Sequence, residues 1–135
     1  MIKLLIGVKG TGKTKTLIEA ANNALLESKG YVVCLEKGTK LRSNINYKVR
    51  LINTDDYLID DASALAGMVA GIIAGNSDVT DLLIDSALKI CNNDLAAFDA
   101  FLIDLEKITA NNPVKILITA SMATEDATDT VKKFI

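Results

Sequence analysis

The stretch Gly7-Val8-Lys9-Gly10-Thr11-Gly12-Lys13-Thr14 has the residue types and spacing to hold a polyphosphate. Several backbone N–H groups must converge on phosphate oxygens. Glycines at positions 7, 10 and 12 give the chain the freedom to turn them inward. Lys13 supplies a point charge for β- and γ-phosphates, and the Thr14 hydroxyl is a ligand for Mg²⁺. A divalent ion also needs a carboxylate, and Val79 to Asp85 reads as a strand that ends in one. Taken alone, an acid after a strand is an ordinary turn residue. Downstream of a phosphate loop, Asp85 becomes the expected metal partner.

The elements around these residues follow from hydrophobic period. Ile2 to Ile6 reads as a strand entering the loop, and a helix leaves it, apolar at Leu17, Ala20, Ala21, Ala24 and Leu25 and ended near Lys29-Gly30. Its N-terminus adds a positive end to the phosphate site. Tyr31 to Leu35 reads as a buried strand closed by Glu36-Lys37-Gly38, Thr39 to Asn46 as a loop, and Tyr47 to Ile52 as an edge strand. A helix over Ala62 to Ala74 follows, capped by Thr54-Asp55-Asp56 or Asp60-Asp61. Its glycines 67, 71 and 75 share one face, which predicts close packing on the sheet rather than a dimer seam. A helix capped at Asn93 or Asp94 runs to Pro113, Val114 to Thr119 is a strand, and Glu125 to Phe134 is a last helix. Strands alternating with helices predict an α/β fold: a mostly parallel sheet of about five strands with helices on both faces. The strand ends would then gather Thr14, Glu36, Asp85 and Thr119 at one edge.

The 135 residues suit one domain, 1–135, and half of them are apolar. No apolar run reaches the length of a membrane span, and Lys9 and Lys13 interrupt the N-terminal run too early for a signal peptide, so a cytoplasmic protein with no membrane partner is expected. Cys34 and Cys91 have no C-x-x-C or His partner, which predicts buried free thiols. Residues 1 to 50 carry ten Lys/Arg against three Glu, and residues 51 to 135 five Lys against fourteen acids. The basic half suits an anionic ligand, while the overall charge of −2 argues against extensive nucleic-acid wrapping.

The loop, Val33-Cys34-Leu35-Glu36, Leu82-Leu83-Ile84-Asp85 and Ile116-Leu117-Ile118-Thr119 together resemble the RecA-like branch of phosphate-loop NTPases. Over nearly its whole length the chain is similar to a family of short bacterial ATP-binding proteins, often labelled PilT-like. The resemblance implies a three-layer fold in which the strand of Thr119 lies between the loop strand and the strand of Asp85. It implies ATP and Mg²⁺ as ligands, with nucleotide binding by Gly7, Lys9, Gly10, Thr11, Gly12, Lys13, Thr14 and Lys15. Thr14 and Asp85 would hold the metal, Glu36 would be the base on water with Lys13 assisting, and Thr119 would sense the γ-phosphate. Related branches place a glutamate directly after the metal-associated aspartate, where this chain has Ser86, so Glu36 is the one candidate base. No Asn-Lys-x-Asp element for guanine exists, and an arginine-bearing kinase lid is missing, since Arg42 and Arg50 are the only arginines. The expected activity is slow Mg-dependent ATP hydrolysis, with a non-hydrolysing nucleotide switch as the alternative. A homo-oligomer or protein partner could complete the site, with Arg42, Lys40 or Arg50 as a further cation.

Overall fold

In the computed structural model, which describes residues 1–135, five parallel strands form one sheet in the order β1-β5-β4-β2-β3. The strands are β1 (Ile2–Gly7), β2 (Tyr31–Glu36), β3 (Arg50–Asn53), β4 (Val79–Ile84) and β5 (Lys115–Ser121). Strand β5 lies between β1 and β4, the order implied by the resemblance. The helices are α1 (Lys13–Glu27), α2 (Ala62–Gly75), α3 (Ala87–Ile90), α4 (Leu95–Thr109) and α5 (Asp129–Lys132).

Side chains alternate across a strand, so a sheet buried on both faces must be apolar at nearly every position. Strand β2 obeys this. Val33 and Leu35 join Leu82, Ile84, Ile116 and Ile118 in a core closed by Leu65 and Val69 of α2 and by Phe98 and Leu102 of α4. Val32 and Cys34 turn to the other face, where Leu17 and Ala21 of α1 cover them together with Leu41, Ile45 and Val49. The sheet is therefore sandwiched between two helical layers. No helix is long and apolar enough to cross a membrane.

Several elements depart from the sequence reading. Tyr47 and Lys48 lie in a turn, and the edge strand is the short Arg50–Asn53. The expected helix over Glu125 to Phe134 is two short pieces, a 3-10 turn at Thr124–Asp126 and α5. Thr128 restarts the helix by accepting from the Val131 amide, because a hydroxyl there competes for the backbone. Asp61 and Asp94 cap α2 and α4. The glycines of α2 do not admit a close neighbour: a Cβ at Gly67, Gly71 or Gly75 would meet nothing within 4 Å, so that face of the helix is open. Gly30 is the tightly packed glycine instead. A Cβ there would fall 1.9 Å from the Asp78 carbonyl oxygen, which receives the Tyr31 amide.

Candidate phosphate and metal site

Parallel strands bring their C-terminal ends to one edge, and the register decides which side chains meet there. Leu35 is level with Ile84, and Ile84 with Ile118, so Glu36, Asp85 and Thr119 follow one another across three adjacent strands. Thr119 is in turn level with Leu5, two residues before the loop begins. The loop opens off the end of β1, and Gly10 and Gly12 take the left-handed conformation at φ 87° and 88°. Gly7 allows the loop to close on itself, since a Cβ there would lie 2.6 Å from the Thr11 Oγ1 atom. That hydroxyl donates to the Val8 carbonyl at 2.8 Å.

Helix α1 begins at Lys13 with no side chain capping it and no acid in its first turn. Its first N–H groups are therefore free to meet an anion, and the helix dipole favours one. The Lys13 ammonium lies back over the loop, donating to the Val8 carbonyl at 3.0 Å. A cavity of about 680 Å³ extends in front, lined by Lys9, Gly10, Gly12, Lys13 and Thr14 from the loop side and Asp85, Ser86 and Thr119 from the strand ends. Lys40, Leu41, Leu88, Lys89, Asn93 and Ser121 complete it. Four lysines thus face one carboxylate, and the volume is in the range of small-molecule sites.

Asp85 is the centre of the polar network. Its Oδ1 accepts from Thr14 Oγ1 at 3.3 Å and from Thr119 Oγ1 at 2.8 Å, and its Oδ2 accepts from Ser86 Oγ at 3.3 Å. The Thr119 hydroxyl also accepts the Ser86 amide at 2.8 Å. Ser86 has φ 55°, uncommon for a residue with a Cβ, and this bend aims its amide at Thr119. The Thr119 hydroxyl thus donates to Asp85 and accepts from Ser86, and it positions the carboxylate at the cavity wall.

Glu36 is 3% exposed, yet it does not line the cavity. Both carboxylate oxygens accept from the Leu41 amide, at 3.1 and 3.3 Å, which folds the side chain onto the turn that follows it. Burial pushes its pKa up; the Leu41 and Lys40 amides pull it down, Asp85 pushes it up again, and the Lys40 charge opposes. An ion pair with Lys37 does not form, because Lys37 pairs with Asp55 at 2.7 Å. Lys15 is exposed on α1 and Thr11 is turned into the loop, so neither lines the cavity. Lys89, Asn93 and Ser121 were missed. Lys89 lies in the short helix α3 and Asn93 just after it, and only the tertiary fold brings them to the loop.

The oxygen donors fit a hard divalent ion. Thr14 and Asp85 offer one hydroxyl and one carboxylate in contact, and no group of three His, Cys, Asp or Glu exists that could enclose a metal alone. Mg²⁺ is commonly held this way, by one or two protein oxygens with phosphate and water filling the rest. Neither protein-family models nor curated proteins give a match to this chain.

Proposed function

We propose that the protein is a phosphate-loop NTPase of the RecA-like kind that binds ATP with Mg²⁺ in the cytosol and hydrolyses it slowly. The observation that carries this reading is the contact of Thr14 with Asp85, residues 71 apart in the chain, at the uncapped start of α1. The loop amides and Lys13 would bind the β- and γ-phosphates, with Lys9 and Lys40 adding charge at the mouth. Thr14 and Asp85 would hold the metal, and Thr119 and Ser86 would keep Asp85 oriented. Bound Mg²⁺ would neutralise charge on the transferring phosphoryl group.

Glu36 supports slow turnover. A general base must come within hydrogen-bond reach of water, and this carboxylate is held by Leu41 instead. The same observation favours a second reading, a nucleotide switch without useful hydrolysis. Single-turnover hydrolysis of ATP and GTP beside equilibrium binding of each separates the two: hydrolysis lost in Glu36→Gln with binding kept selects the enzyme, and tight binding without hydrolysis selects the switch. Binding itself is tested by stability. Mg-ATP at a hundredfold over its dissociation constant raises unfolding free energy by about 2.7 kcal/mol, and Lys13→Ala removes most of that gain. An unchanged gain in Lys13→Ala places the ligand elsewhere and refutes the site.

A further inference from the structure

A second concavity, about 850 Å³ and sharing no residue with the first, runs along the outer edge of β3. It collects both arginines and all three tyrosines of the chain: Arg42, Arg50, Tyr31, Tyr47 and Tyr57, joined by Lys48. Asp56 is the one acid that lines it. None of the three cations is paired, since the protein's one ion pair is Lys37 with Asp55. The tyrosines are 56, 88 and 55% exposed.

The two edges of the sheet are treated differently. At β1 the Leu4 amide donates outward to the Phe134 carbonyl at 2.7 Å, so the chain's own C-terminal segment covers that edge. At β3 the only strand neighbour is β2, and no other backbone group bonds Arg50, Leu51 or Ile52. Alternate residues of a parallel edge strand direct their N–H and C=O groups away from the sheet, and here they face the cleft. Charge on an edge strand commonly serves to prevent pairing. Three exposed tyrosines beside it do the reverse, because Tyr and Arg supply rigid contact area and are the residue types that anchor interfaces.

We propose that this cleft binds an extended, acidic polypeptide segment of a partner protein, added as a sixth strand beside β3. Main-chain bonds to β3 would give the register, and Arg42, Lys48 and Arg50 would take alternate carboxylates. A second copy of the chain fits less well, because its own β3 edge brings the same positive charge. Three cations on a chain of net charge −2 are few for a nucleic-acid strand, and such a strand leaves the β3 amides and carbonyls unused. The inference stands independently of the nucleotide reading.

The probe is a fluorescein-labelled peptide of about eight residues alternating Glu and Val, a usual strand length, followed by fluorescence anisotropy. The Glu-Val peptide is expected to bind and the matching Lys-Val peptide is not. N-methylation of alternate amides should abolish binding in one phase and spare it in the other, since only one set faces β3. Arg42→Glu with Arg50→Glu should weaken binding about tenfold or more. Both arginines are exposed, so this variant should keep its circular dichroism and melting midpoint; Tyr47→Ser provides an independent loss without charge reversal. No binding of the Glu-Val peptide overturns the proposal, as does equal tolerance of both N-methylation phases. Preferential binding of labelled oligothymidylate that the arginine variant removes would assign the cleft to single strands instead. A concentration-dependent dimer broken by the same variant would assign it to a second copy.

Discussion

Replacing Thr119 by valine tests whether this side chain positions Asp85. The two residues have nearly the same shape, so the change removes a hydroxyl and little else. That hydroxyl donates to Asp85 Oδ1 and accepts the Ser86 amide, each at 2.8 Å, at a residue 1% exposed. A hydrogen bond to a charged group contributes about 1.5–3 kcal/mol, and a buried donor left without a partner costs about 1–3 kcal/mol. The Ser86 amide is only partly buried, which puts its share at the lower end. Thr119→Val should therefore cost about 3 kcal/mol, a large part of a domain's 5–15 kcal/mol, and lower the melting midpoint by roughly 10 °C. Thr119→Ser keeps both bonds and loses one buried methyl, about 1 kcal/mol. Urea titration reads the difference as a shift in midpoint at constant slope. Mg-ATP affinity should fall in the valine variant and survive in the serine variant. A valine variant no less stable than the serine one would refute the reasoning and return Thr119 to the role of a γ-phosphate sensor.

Glu36 makes a prediction with a definite sign. Burial raises its native pKa above 4.5, so just above pH 4.5 the folded protein keeps a proton that the unfolded chain has released. Stability attributable to this group therefore falls as pH rises from 4.5 and levels off above the native pKa; Glu36→Gln should lack that fall, and an identical pH profile in both proteins would contradict the assignment. Cys34 and Cys91 are buried with their thiols pushed up to about 12, chiefly by desolvation. Native protein should resist iodoacetamide at pH 8 while urea-unfolded protein labels at both positions, because the thiolate is the nucleophile; rapid labelling of the folded protein would mean that one of them is accessible. Above pH 9 the unfolded chain sheds these protons first, so stability should decline between pH 9 and 12.

Most strand positions were legible from apolar runs that need cover, while their order across the sheet came from the resemblance alone. An apolar run such as Val32 to Leu35 has to be covered on both sides, and β2 feeds one core with Val33 and Leu35 and the other with Val32 and Cys34. Glycine was harder to read. At Gly10 and Gly12 its left-handed backbone follows from the loop pattern, but at Gly67, Gly71 and Gly75 the spacing predicted a neighbour that is not there. Spacing says which residues share a helix face; what the face meets depends on where the sheet ends. The C-terminal helix was misread for a local reason: Thr128 accepts from the Val131 amide and caps a new, short helix where apolar period alone would run one helix through.

Residue type anticipated which side chains would meet better than it anticipated their hydrogen-bond partners. Thr14 Oγ1 and Asp85 Oδ1 meet because the start of α1 and the end of β4 lie at the same edge of the sheet. Glu36 and Thr119 were both expected at the cavity; Thr119 lines it while bonding Asp85 and the Ser86 amide, and Glu36 bonds the Leu41 amide outside the lining. Both partners are backbone or network groups whose direction depends on local dihedrals, above all the left-handed Ser86, and nothing in a serine announces a positive φ. The consequence for catalysis is physical. The Leu41 amide occupies only part of the carboxylate's acceptor capacity, but it folds Glu36 onto the turn and out of the cavity lining, so Glu36 can serve as a base only if that turn moves and brings it within reach of water. Leu41 and Lys40 line the cavity in front of the loop, while Thr39 and Arg42 line the cleft at β3. The turn that Glu36 holds therefore forms a wall of both, and its carboxylate is the one side chain that fixes that wall to the end of β2.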